Sequence, residues 1–170
     1  QNKGVIPDIK LVDIYDEEFG ERKMKNPLKW DTIPTAPFKR EGDHSYIPQL
    51  TELSQQRVKA DPQFQYLETR MDISKSTKDQ KKLVLDIDQR KAELVGLENK
   101  TLAAENKRRA ETGQKPYSNW ESYQASLDAL AESRAKMKAT QRPALPEEEA
   151  FVTEAANVLL DYAKVQKAKS

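Results

Sequence analysis

Proline placement constrains this chain more than any other feature. Nine prolines mark where the interior of a helix cannot run, because each lacks an amide proton and pushes the residue before it out of the α region. Four of them, Pro7, Pro27, Pro34 and Pro37, fall within residues 1–42 together with three of the five glycines. Pro62, Pro116, Pro143 and Pro146 instead fall at joints between stretches whose apolar residues recur at helical spacing. The chain therefore reads as mainly α, a helical domain over 45–170 entered through a short N-terminal strand and an extended proline-rich arm.

In the N-terminal part, Ile9, Leu11, Val12 and Ile14 follow the Gly4–Pro7 turn at the spacing of a short strand. The stretch NPLKWDTIPTAPF holds too many prolines for helix and reads as an arm pinned by Leu28, Trp30, Ile33 and Phe38. From about Ser45, Tyr46, Leu50, Leu53 and Val58 form an apolar stripe that Gln56 and Arg57 interrupt. Asp61–Pro62 is a cap followed by the favoured first-turn proline. A helix with Phe64, Leu67 and Met71 on one face follows; the two helices are separate or one helix bent at Pro62.

KSTKDQKK reads as a polar break. After it Leu83, Leu85 and Ile87 alternate with Val84 and Asp86, the period of a strand, so a further short strand near 83–87 is expected, with Asp88 capping the next helix. That helix carries Leu94, Leu97, Thr101 and Ala104 on a narrow seam, widened by Val95 and Leu102. Its end is marked by Lys107, Arg108 and Arg109, which suit the helix dipole, then by Gly113 and Pro116. Ser118-Asn-Trp-Glu121 has the spacing of a capping box, ahead of a stripe through Trp120, Tyr123, Leu127, Leu130 and Met137. The last helix opens at Pro146 with three glutamates and presents Phe151, Val152, Ala155, Val158, Leu159, Tyr162 and Val165.

Composition excludes several function classes. Twenty-nine basic residues nearly cancel 28 acidic ones and the signs are interleaved, which is not the one-sided charge of a nucleic-acid binder. No cysteine is present, so there is no thiolate metal site or disulfide framework. No apolar run approaches the length of a membrane span. His44 is the sole histidine and would need three carboxylates beside it to hold zinc. Asp86/Asp88 and Glu147–Glu149 read as a strand exit and a helix start, and the acidic cluster Asp13, Asp16, Glu17 and Glu18 lacks the glycine at the sixth position of an EF-hand loop. No cofactor is expected.

Ser74 and Lys78 stand four apart, the spacing of a Ser–Lys dyad on one helix face. Their neighbours Lys75, Asp79, Lys81 and Lys82 offer nothing to desolvate the lysine, and no glycine-rich turn supplies an oxyanion hole. A solvated segment is the better reading.

GVIPDI and NPLKWDTIP, taken together, resemble the end of the tail-specific, or carboxyl-terminal processing, serine proteases of Gram-negative bacteria. Gly4, Pro7 and Asp8 match the Gly-x-x-Pro-Asp element that closes that family's protease domain. Asn26, Pro27, Leu28, Trp30 and Asp31 match the arm that leads into its C-terminal helical domain. The start at Asp61-Pro62-x-Phe64, the basic helix end running into Gly113 and Pro116, and the last helix are similar as well. The resemblance implies that 1–14 is the terminal strand of an upstream protease domain, 15–44 the arm and 45–170 an accessory domain. It implies a periplasmic enzyme, peripheral to the inner membrane, that uses a Ser–Lys dyad and a PDZ module to process proteins from or near their C-termini. The motif that carries the family's serine and lysine is not among these residues, so no catalytic role passes to any position, Ser74 and Lys78 included. The implied partners are the upstream protease and PDZ domains, protein substrates and an adaptor protein. The expected role is scaffold, enclosure or docking surface. The seams at Leu94–Ala104 and Trp120–Met137 also suit a coiled coil, which leaves a free-standing helical adaptor as the competing reading.

Overall fold

The computed structural model describes residues 7–12, 26 and 44–169, the last two as backbone alone. Among them it forms five α-helices, a single 3-10 turn at Ala139–Gln141 and no strand. The helices are α1 (Ile47–Ala60), α2 (Pro62–Lys78), α3 (Ile87–Glu111), α4 (Trp120–Lys136) and α5 (Pro146–Lys169). The mainly α expectation holds.

Three joints are built as the residues dictate. The Asp61 side chain accepts from the Gln63 amide at 2.7 Å and Pro62 opens α2, so the α1–α2 joint is a break rather than a bend. At the end of α3, Gly113 takes φ 72, its amide donates to the Ala110 carbonyl at 3.2 Å and that of Gln114 to Arg109 at 2.7 Å. This is a Schellman motif, which needs the left-handed conformation that glycine adopts without strain. At α5 the Glu148 carboxylate reaches back to accept from the Leu145 amide at 2.7 Å, beside two further first-turn glutamates.

Three joints differ from expectation. Of the polar break expected at 75–82, only 79–82 leave the helix, while Lys75–Lys78 form the last turn of α2. Ser76 and Thr77 donate to the Ile73 carbonyl at 2.8 and 3.0 Å, so their hydroxyls are satisfied inside the helix instead of competing with it. No strand forms at 83–87. Asp86, not Asp88, caps α3 by accepting from the amides of Asp88 and Gln89 at 3.0 and 2.9 Å, which starts the helix at Ile87. The α4 cap is Asn119, one residue after the expected Ser118. Its side chain accepts from the Ser122 amide at 2.9 Å while Ser122 Oγ accepts from the Asn119 amide at 3.3 Å. Asparagine wins because its carboxamide oxygen reaches the third helical amide from the extended backbone at that position. Residues 7–12 carry no strand; the rest of the expected 1–14 strand and the arm residues 15–25 and 27–43 lie outside the described residues.

The chain divides into two compact units. One joins α1 up to Val58 with α5 from Thr153. Its interior holds Tyr46, just before α1, and Leu50 and Ser54 from α1, with the Tyr46 and Tyr162 rings edge-to-face at 5.5 Å. The other unit, Lys59–Val152, packs α2 on α3 and α3 on α4. Phe64 and Leu67 are 1% exposed there, with Tyr66, Tyr123 and Ala150 also buried, and Phe64 meets Phe151 edge-to-face at 5.7 Å. Burying each of these two α2 side chains stabilises by about 1.5–3 kcal/mol.

The apolar face expected for α5 is only partly the one buried. Val152 and Leu159 are 69% and 68% exposed, whereas Glu154 is buried and Phe151, Val158, Asp161 and Tyr162 are half-buried. The inward face runs through two carboxylates because an arginine waits for them on α1. Likewise Leu94, Val95, Leu127 and Met137 lie on the exposed side, so the two narrow seams are only partly covered.

Candidate functional site

Three places concentrate interactions. In the first, Arg57 of α1 grips Glu154 of α5: Nη2 donates to Oε1 at 2.8 Å and Nε to Oε2 at 3.0 Å. Its Nη1 donates to Asp161 Oδ2 at 2.5 Å, and Lys164 lies 3.6 Å from the other Asp161 oxygen. Burial alone pushes the Glu154 carboxyl up, but Arg57, the Ser54 hydroxyl and Asn157 outweigh it and hold the group below the usual carboxylate value. A carboxylate saturated by a fixed guanidinium is a poor general base. This is a structural clamp.

The second lies at the C-terminal end of α3. Glu105 and Arg108, both nearly fully buried, pair through Nε at 2.9 Å and Nη2 at 2.5 Å. Arg108 also donates to Gln63 at 3.1 Å and lies 5.3 Å from the centre of the Tyr66 ring. Burial pushes the Tyr66 phenol far above its ordinary value. Arg109 stacks on Tyr117 at 4.2 Å and donates to the Lys115 carbonyl at 2.7 Å, tying down the α3–α4 connection. Asn106 completes that tie by accepting from the Tyr117 amide at 2.7 Å and donating to its carbonyl at 3.0 Å. The basic run Lys107–Arg109 is therefore more than dipole compensation; two of its three members fix side chains and loop.

The third is a groove of about 390 Å³ between α2 and α3, with Tyr66, Ile73, Ala103 and Ala104 in its lining and Lys100 and Lys107 beside them. A second hollow of about 300 Å³ lies near Leu83, Leu94 and Leu97. Every buried side-chain nitrogen or oxygen among the described residues has a partner. None therefore waits inside these hollows for a ligand.

The residues singled out from sequence are scattered. Pro7, Asp8 and Asn26 are exposed, and Gly4, Pro27, Trp30 and Asp31 lie outside the described residues. Ser74 is exposed on the last turn of α2 and His44 is exposed just before α1. Among the described residues no group of three or more acidic or histidine side chains could hold a metal ion, and no helix is long and apolar enough to cross a membrane. Sequence reasoning missed Arg57, Glu105, Arg108, Glu154 and Asp161. The available signal was an arginine on the apolar stripe of one helix and acids seven apart on another.

Residues 14–164 match a family model described as the C-terminal domain of tail specific protease (DUF3340). The chain belongs to this family. It is also 38% identical over 98 residues to the tail-specific protease of Haemophilus influenzae, an alignment that takes in 55% of this chain and 14% of that protein. The chain thus spans a small part of that relative's length. No solved structure matches it. As a C-terminal domain of a tail-specific protease, it is built from helices whose joints are capped and whose buried charges are paired.

Proposed function

We propose that the chain is the non-catalytic helical part of a longer tail-specific serine endopeptidase, serving that enzyme as scaffold, enclosure or docking surface. In this reading residues 1–14 close the protease domain, 15–44 form the linking arm and 45–170 the accessory domain. The enzyme is periplasmic and processes proteins from or near their C-termini, with PDZ and protease domains contributed by the rest of the polypeptide. The observation that carries the reading is the family match over 14–164, joined to the small share of the relative that the chain covers. Two structural facts support it. The charged clusters are engaged in holding helices and loops together. Ser74 and Lys78 sit on an exposed helix end.

The test is a peptidase assay on unfolded proteins with apolar C-termini, run with the 170-residue chain and with the longer polypeptide. Turnover by the longer polypeptide alone is expected. Turnover by the 170-residue chain, abolished by Ser74→Ala, would place chemistry in this domain and overturn the reading.

A further inference from the structure

We propose that residues 82–86 are a strand-addition element: in the longer polypeptide, Lys82–Asp86 pairs main chain to main chain with the edge strand of a β-sheet that lies outside these 170 residues. The proposal rests on the reading of the chain as one part of a larger protease and names the surface through which it docks.

The segment between α2 and α3 is irregular backbone with no ladder partner among the described residues. Its described backbone hydrogen bonds lie at its two ends, from the Asp79 amide to Lys75 and from the Arg90 amide to Asp86 at the extended cap of α3, and neither involves residues 82–85. A run of unpaired amides and carbonyls is the template that sheet edges recognise. The side chains are those of a strand with a covered face. Leu83, Leu85 and Ile87 alternate with Val84 and Asp86, and the three are 69%, 97% and 65% exposed. Leu94 and Val95, at 54% and 52%, extend the apolar surface along α3. Five of the ten large apolar side chains left exposed among the described residues thus fall in the short stretch 83–95. Apolar exposure concentrated in this way marks an interaction surface.

Two considerations select the occupant. Two short strands pairing alone are marginally stable in water, so a second copy of this chain offering the same five residues makes a poor partner, whereas an existing sheet of several strands makes a good one. The aligned part of the chain amounts to 14% of the relative's length, which leaves ample polypeptide to supply that sheet.

Amide hydrogen exchange measured on the longer polypeptide and on the 170-residue chain tests this. Amides within 82–86 are expected to exchange near the unprotected rate in the 170-residue chain and at least ~100-fold more slowly in the longer polypeptide. Val84→Pro or Leu85→Pro, whichever removes a paired amide, should abolish that protection while α2 and α3 keep theirs. Equally fast exchange in both proteins overturns the proposal. So does protection in the 170-residue chain that grows with concentration, which would identify a second copy. Protection in the longer polypeptide that survives both proline variants would show side-chain cover without strand pairing, and also overturns it. Fast exchange beside the expected peptidase result would leave the protease reading standing and remove this inference alone.

Discussion

Arg57 shows how much of this molecule turns on single charged residues placed where apolar ones were expected. Its side chain is 31% exposed, while that of the Glu154 it holds is 4% exposed. Removing one partner of such a pair leaves a buried charge uncompensated. Arg57→Ala should therefore cost about 3 kcal/mol, the low end for a buried pair because Arg57 itself is partly solvated, as read by denaturant unfolding. The pair also sets a pH dependence. A carboxyl whose folded pKa is depressed adds stability above its unfolded pKa and loses it as pH falls through the folded value. The α1–α5 unit should hold its melting midpoint above about pH 4.5, the ordinary carboxyl value, and lose stability below it. In Arg57→Ala that acid loss should largely vanish, because burial then pushes the Glu154 carboxyl upward unopposed by the guanidinium. An unchanged acid limb in the variant would deny the clamp. In sequence, Arg57 was visible only as an interruption of a stripe. Its meaning depended on Glu154, 97 positions away, which no local pattern could supply.

At the scale of elements, the caps were the most legible part of the sequence, because a cap depends on residues within one turn of each other. Asp61–Pro62, Gly113 and Pro146 each end or start a helix where their chemistry requires. The misreadings are local too, and physical. Ser118 and Asn119 are both good caps one residue apart, and only the backbone geometry chose between them. Asn119→Ala should lower stability by about 1 kcal/mol, whereas Ser118→Ala should change it by a few tenths at most, in thermal or denaturant melts of the two variants. Equal losses would return the cap to Ser118. The period-two pattern at 83–87 pointed to a strand, but a strand needs a neighbour, and none stands beside it among the described residues. Part of the face of α5 was misjudged because ranking residues by hydrophobicity hides a buried carboxylate whose partner lies on another helix.

For the molecule as a whole, the family was legible before the fold. The motifs around Gly4–Asp8 and Asn26–Asp31 pointed to a tail-specific protease, and the family match agrees, although most of those residues lie outside the described part of the structure. The helical class was legible from proline spacing and apolar periodicity. What the sequence concealed was the use of paired charges as packing elements and the apolar surface at 83–95 that this chain leaves uncovered. Both fit a domain that is held together internally by ion pairs and turns its remaining apolar surface toward a larger enzyme. The most direct test compares hydrolysis of an unfolded protein with an apolar C-terminus by the longer polypeptide and by the same polypeptide ended just before Ser45, with catalytic residues intact in both. A scaffold or enclosure that positions substrate predicts a rate lower by ~10-fold or more in the shortened enzyme, and an undiminished rate would contradict the account.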